Sequence, residues 1–565
     1  LKDVRVSAGA TLKGASLTAS HTLTLDLSDM LTRDNSPYVQ LTGACNSLDS
    51  LVLENFQQTE SGHAGDYALL SQSAPLPETF TWSHESVSTD AYYYKLISSS
   101  EGGTPTLYLQ LARIGEWVWA SGADGYGTSV EWSDATGGTK TQWSHDSEFA
   151  TGPDAQKLLF SNAAVNRNIT ISGTVKPWSV TVNNDTGKDY VFNGDTSAGI
   201  SDNGTVNGVL TKSGEGNLTI GSDLRNTYTG GTLLQGGTIL VRSGSVTDGS
   251  GNIEYGSLGK GELLFQGGIL SAKGEVSFAN AFRADEDSAI RLKTEDASSV
   301  LTVGGSLAPY ALDIQGDGRV QVTELGSGDI LAGDLTVGAD AVLALHNAAS
   351  QTSVTLSGKL SGVAGTLEKT SGTLVLNLLN ERDTFGGTLE ADALTVSAVG
   401  STATDKSLGL SGTMSASGLI LSDGAELKLL SNGKLAVDGT ISVNSGSGLT
   451  LAGGTLTLGN ASGVATDDVL SGTQGTVTLG NGTLTAATGS SGWTASHSMT
   501  LSGTGENGTL VSLGDGQTVT LGGVLNGSGL LTKQGGGTLV LGNGGNTVSG
   551  EIALEEGRLE LADEA

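Results

Sequence analysis

The sequence is most informative at first for what it has little of. It contains one cysteine, Cys45, so no disulfide can close within the chain. A lone cysteine reads as a small buried apolar residue rather than a reactive thiol. Basic residues are scarce: 28 Lys and Arg stand against 59 Asp and Glu, a net charge of −31. Such a polyanion has no electrostatic route to nucleic acid or to anionic lipid. No apolar run approaches the roughly 18 residues of a spanning helix, so no direct membrane insertion of this segment is expected. The chain opens at Leu1 with no initiator Met, charged n-region or apolar h-region. Because Val4, Val6, Leu12 and Leu17 already sit in a strand-like pattern, the chain is expected to be part of a longer precursor. Proline, at 7 residues, is also rare, and continuous helical periodicity is hard to find.

What is present is glycine, 86 residues of it, set between short runs in which Leu, Val, Ile and Thr alternate with small polar residues. Alternation of that kind builds half-buried strands, and glycine serves the corners between them. The fold class is all-β. Residues 1–75 alternate cleanly at Leu23–Leu27, Tyr38–Leu41, Leu51–Leu53 and Tyr67–Leu70, as expected for the end of a preceding β-helix section. Residues 76–157 form a second region. Of the 27 aromatic residues, 19 precede position 201, and this region holds Trp82, Trp117, Trp119, Trp132, Trp143 and the Tyr92–Tyr94 run. Tyr92–Ile97, Thr106–Leu111 and Glu116–Trp119 read as a meander, and Ser121–Gly138 as a protruding loop.

From residue 158 to 565 the spacing becomes regular. Between 408 and 458, apolar pairs begin at Leu408, Leu419, Leu427, Leu435, Ile441, Leu449 and Leu456, about eight residues apart. A flat sheet of so many strands would be too wide, so the chain should coil. Three strands per turn give about 24 residues per turn, and roughly 17 parallel turns stacked at about 4.8 Å give a solenoid on the order of 80 Å long. Apolar side chains stack inward, while Thr, Ser, Asn and Asp face water. Asn203, Asn226, Asn543 and Asn546 fall at corners, where side-chain amides bond backbone or a stacked neighbour.

Three stretches share one pattern. The first, Leu210–Val241, holds Lys212-Ser213-Gly214-Glu215-Gly216-Asn217-Leu218, then Asn226-Thr227-Tyr228-Thr229-Gly230-Gly231, then Gly236-Gly237-Thr238. The second, 531–561, holds Lys533, Gly535, Gly537, Asn546 and Gly550, with Val548 and Glu551 where the first has Tyr228 and Gly231. The third, 367–389, is looser and lacks one glycine and one spacer. This pattern closely resembles the passenger-associated transport repeat of bacterial autotransporters, over roughly 90 of the 565 residues. The resemblance implies a right-handed parallel β-helix, exported by a Gram-negative cell and displayed at its outer surface or secreted. It also implies an outer-membrane translocator in cis, a C-terminal β-barrel. The last residues, Glu560-Leu561-Ala562-Asp563-Glu564-Ala565, carry no series of amphipathic ten-residue strands, so that barrel is expected outside this chain.

Function then divides into three expectations. The leading one is a structural stalk and adhesin for host, matrix or glycan, with Trp117, Trp119, Trp132 and Trp143 as the ligand contact and a role in colonisation. The alternative is a carbohydrate-active enzyme, lyase or glycosidase, using Asp124, Glu131 and Asp134, but these acids have no partner visible in sequence. The third is a spacer without a ligand. No catalytic motif, cofactor fingerprint or metal-binding pattern is found. The histidines (His21, His63, His84, His145, His346, His497) lack zinc spacing. The acidic turns Asp285-Glu286-Asp287 and Asp313–Asp317 match no calcium loop.

Overall fold

The architecture follows from the alternation, as a computed structural model makes explicit. It describes the chain between residues 3 and 562, except 18–21, 30–35, 56–64, 74–80, 85–91, 100–103, 123–129, 135–155, 324–329, 346–352, 460–465 and shorter gaps of one to three residues. Among the described residues every regular element is a strand, and successive strands pair mostly in parallel. The protein is an all-β parallel solenoid. It divides into two compact units: Leu1–Asn183 with Gly194–Leu210 and Thr227–Gly230, and Asn184–Asn193 with Thr211–Asn226 and Gly231–Ala565.

The first unit begins with a parallel sheet of Asp3–Val6, Thr22–Asp26, Ser50–Glu54 and Thr81–His84. Its register puts Val4 beside Leu23 and Leu23 beside Leu51. Leu23, Leu25, Leu51 and Leu53 are buried in its core with Tyr38, whose hydroxyl donates to Asp29 at 2.6 Å. Strands Tyr92–Ser99 and Thr106–Arg113 pair antiparallel, but the third strand of the expected meander does not join them: Gly115–Gly122 lies in another sheet, between Val130–Asp134 and Gln156–Phe160. A second expectation is corrected here. Ser121–Gly138 is not a single loop, because Val130–Asp134 is a strand that returns antiparallel to Gly115–Gly122, with Trp119 opposite Trp132.

The second unit is the regular part. One ladder runs through Tyr190–Gly194, Asn217–Ile220, Thr238–Val241, Ile269–Ala272, Ala289–Thr294, Ala311–Gly316, Leu335–Val337 and Gly362–Val363. A second runs from Asp383–Phe385 through Ser407–Leu410, Glu426–Leu429, Gly448–Leu451, Thr476–Leu479, Met499–Leu501 and Leu525–Gly527 to Thr547–Val548. Like stacks on like: Leu408 faces Leu427, Leu427 faces Leu449, and Leu449 faces Val477, none more than 3% exposed. Full burial of each such side chain contributes about 1.5–3 kcal/mol, and the outward Thr or Lys between them keeps the strand wettable. Partners lie near the expected 24 residues apart, as for Leu270 with Leu292 and Leu312 with Leu335. The longer step from Thr238 to Ile269 accommodates an added antiparallel hairpin, Ser245–Thr247 with Ile253–Gly256.

Strands at 407–410, 426–429, 434–437, 441–443, 448–451 and 455–458 match the apolar pairs of the sequence. Leu419, however, does not begin a strand. It lies inside Thr413–Leu421, which with Thr366–Asn377 and Thr388–Ser397 forms three unusually long strands. There two short strands and the corner between them have become one extended run, with a bulge between Lys369 and Thr373.

Candidate functional site

Where the sequence suggested a contact surface, the backbone places the tryptophans in a sheet. Trp117 and Trp119 occupy register positions beside Leu158 and Phe160, both of them buried. Trp132 and Asp134 lie on the returning strand, Asp134 opposite Trp117 and Glu131 opposite Ser121. Trp143 and Asp124 lie outside the described residues. The strands therefore bring Trp117, Trp119, Trp132, Glu131 and Asp134 into one antiparallel arm.

The other candidates are held locally. Asp285 accepts from Gln266 Nε2 at 2.8 Å, and Asp313 accepts from Gln315 Nε2 at 2.8 Å while facing Arg291 Nε at 3.8 Å. His497 is 2% exposed, with Nδ1 2.7 Å from the Ser498 carbonyl and Nε2 buried without a partner. His84 lies in the strand Thr81–His84, and His21, His63, His145, His346 and Asn203 are outside the described residues. Among the described residues no group of three or more His, Cys, Asp or Glu is placed to hold a metal ion. Among them, too, no helix is long and apolar enough to cross a membrane.

The most developed side-chain constellation lies in the repeats. Lys212 is fully buried, and its Nζ donates to the carbonyls of Ser213 at 2.6 Å, Gly214 at 2.9 Å and Gly236 at 3.4 Å. Lys533 is also fully buried, and its Nζ donates to Gln534 O at 2.8 Å, Gly535 O at 2.6 Å and Glu556 O at 3.2 Å. In both, two acceptors belong to the turn after the lysine and the third to the next coil. A buried ammonium without a carboxylate is costly unless its protons are taken up, and three carbonyls take up three protons. Burial pulls Lys212 down to about 8, against the opposing pull of Glu215 and Asp189. Burial also lowers Lys533, against Glu556.

The glycines of the pattern make room for this arrangement. A Cβ on Gly237 would lie 2.2 Å from Gly216 O and 2.8 Å from Lys212 Nζ; on Gly557 it would lie 2.3 Å from Gly535 O and 2.9 Å from Lys533 Nζ. Both glycines have positive φ, 61° and 78°, as do Gly214 and Gly535 in the lysine turns. Other motif positions seal corners. Gly230 N donates to Gly208 O at 2.9 Å, and a side chain at Gly216, Gly231, Gly537 or Gly550 would strike backbone of the neighbouring coil. Asn226 is buried and donates to Ser257 O at 2.8 Å; Asn546 accepts from Leu525 N at 2.7 Å, and Asn543 donates to Gly522 O at 3.1 Å. Tyr228 is fully buried in the first unit. The chemistry of this site is thus coil-to-coil attachment. Sequence reasoning marked the lysines as structural but did not pair them with Gly237 and Gly557, which follow by about 25 residues, one coil later.

Comparison with known proteins agrees with this division. The family model of the passenger-associated-transport-repeat matches residues 210–241 and 531–561, the two segments that carry the three-carbonyl lysines. No curated protein and no solved structure matches the chain.

Proposed function

We propose that this chain acts as the stalk and adhesin of a passenger at a Gram-negative cell surface, projecting a binding face toward host, matrix or glycan. Two passenger-associated transport repeats embedded in a parallel β-solenoid fit an autotransporter passenger, and that is the observation on which the reading rests. The family implies a cell-surface or secreted location. Several properties support a display role. The described second unit buries its apolar residues in a narrow stacked core and presents outward columns such as Thr450, Thr478, Thr500, Asn526 and Thr547, each opposite the next. The net charge of −31 keeps so long a set of strands from pairing edge to edge. The aromatic arm at Gly115–Gly122 and Val130–Asp134 is the first contact surface to test, and an outer-membrane translocator supplied in cis is the partner that export requires.

The test is display of the chain behind a translocator barrel on a bacterium that does not itself adhere. The reading predicts protease-accessible chain at the surface and new adhesion to host cells or to members of a glycan panel, reduced at least tenfold by Trp117→Ala or Trp132→Ala in folded protein. Display without adhesion would leave the stalk and remove the adhesin. Failure to reach the surface behind any barrel would remove both.

A further inference from the structure

One corner of the second unit is built for more than turning the chain. At that corner three residues separate Lys434–Val437 from Ile441–Val443, and three separate Leu531–Gln534 from Thr538–Leu541. Two successive coils between them carry five instead, from Gly482–Ala486 to Gly492–Ala495 and from Thr509–Ser512 to Thr518–Leu521. The strands stay in register, Thr485 beside Ser512 and Gly492 beside Thr518, so the added residues form two neighbouring turns. Their tips are Thr488-Gly489 and Asp515-Gly516, with both glycines at positive φ, 88° and 79°. Between the turns lies an open groove of about 520 Å³, within the roughly 300–1,000 Å³ of small-ligand clefts.

The groove is fixed from behind. Gln517 Nε2 donates across to Ala487 O at 3.0 Å and Ser490 O at 3.1 Å, and its Oε1 accepts from Gly514 N at 2.8 Å, so one side chain ties both turns. Thr485 Oγ1 donates to Ser512 O at 2.8 Å, and the indole of Trp493, 1% exposed, donates to Thr485 O at 3.3 Å. Thr488, Ser491, Ser512 and Asp515 line the opening, and their side chains bond no other described residue. The second transport repeat makes room for the carboxylate: a Cβ on Gly536 would lie 1.8 Å from Asp515 Oδ1. Charge narrows the ligand. No Lys or Arg occurs between Lys434 and Lys533, so an anion finds no counter-charge here. One carboxylate is too little to hold a cation, and walls of hydroxyl, amide and backbone offer an apolar ligand nothing. We propose that this groove binds an uncharged saccharide. Asp515 accepts from neighbouring sugar hydroxyls, and Thr488, Ser491 and Ser512 donate to sugar oxygens. Because the turns are already tied together, binding orders little of the protein. The use of the site in adhesion rests on the display reading, but binding itself does not.

Saturation-transfer NMR on the purified full chain tests the groove. The probes are neutral mono- and disaccharides of glucose, galactose, mannose, fucose and N-acetylhexosamines, with sialyllactose as the anionic counterpart of lactose. At least one neutral sugar should receive transfer, and sialyllactose should bind at least tenfold more weakly than that sugar. Asp515→Ala, an exposed change that breaks no bond within the protein, should weaken binding at least tenfold, and Ser491→Val about threefold. Thr500→Ala, exposed on another face, should change nothing. Transfer to no neutral sugar would overturn the proposal, as would equal binding of sialyllactose or unchanged binding in Asp515→Ala. Binding lost in Trp117→Ala but kept in Asp515→Ala would move the contact to the aromatic arm and likewise overturn it. Groove binding with no adhesion of displaying cells would sink the adhesin reading and leave the groove standing.

Discussion

The coil clamped by Lys533 and the coil following Lys369 place the same residue in the same kind of turn, yet their surroundings differ. At Lys533 the next coil offers a carbonyl and a glycine with no side chain to intrude. At Lys369 the next coil offers Ala391 and an exposed Asp392, and the strands on either side lose their corner. The comparison teaches that the motif is a space filled by an ammonium group rather than a surface sequence. Where the glycine one coil later is missing, the backbone carries a bulge between Lys369 and Thr373.

The largest expected effect falls on that space. Gly557→Ala forces a Cβ against Gly535 O, Gly537 O and Lys533 Nζ at positive φ, and should cost about 3 kcal/mol or more of local stability. Gly400→Ala, equally left-handed with φ 74° but in open space, should cost only about 1 kcal/mol. Exchange protection of residues 531–561 and 388–421, read on each variant, checks the pair. Equal losses would mean that conformation, and not the lysine pocket, sets the requirement.

Next in size, Lys212→Met removes the Nζ donor from three carbonyls, of which Ser213 O keeps the Asn184 N–H at 3.4 Å, and should cost about 2–3 kcal/mol near neutral pH. The same position sharpens the comparison through pH. The folded value of Lys212, about 8, lies below the 10.5 of an exposed lysine, so the unfolded chain holds the proton more tightly. Its burial penalty is therefore present below pH 8 and falls away as pH rises from about 8 to 10.5. Denaturant midpoints of wild type and Lys212→Met should diverge through that window, in favour of the wild type. Parallel curves would contradict a buried ammonium. At the small end, Arg558→Ala removes an exposed pair with Glu560, 2.8 Å apart, and should change the stability of the last coil by no more than about 0.5 kcal/mol.

Much of the fold was legible before any coordinates. Alternation located the strands from Ser407 to Leu458 other than Thr413–Leu421, their spacing predicted the coil length, and the Lys-Gly-Asn pattern located the repeats. The long strands Thr366–Asn377, Thr388–Ser397 and Thr413–Leu421 were not legible, because their apolar residues keep the same spacing whether or not a corner intervenes. The hairpin that returns through Val130–Asp134 was hidden by the glycines and acids before it. The burial of Lys212 and Lys533 was hidden for a different reason. A lysine followed by Ser, Gly and Glu, or by Gln and Gly, carries no local sign of burial, and the carbonyl and the vacant Cβ that bury it arrive about 24 residues later in the sequence.

The central claim is that these lysines hold one coil to the next. Hydrogen exchange of Ile552–Leu554 and Arg558–Leu561 in Lys533→Met, against wild type at pH 7, tests it most directly. The account predicts protection reduced at least thirtyfold in these strands, with 434–458 unchanged. Unchanged protection in the last coil would show that the backbone ladder alone holds it, and would contradict the claim.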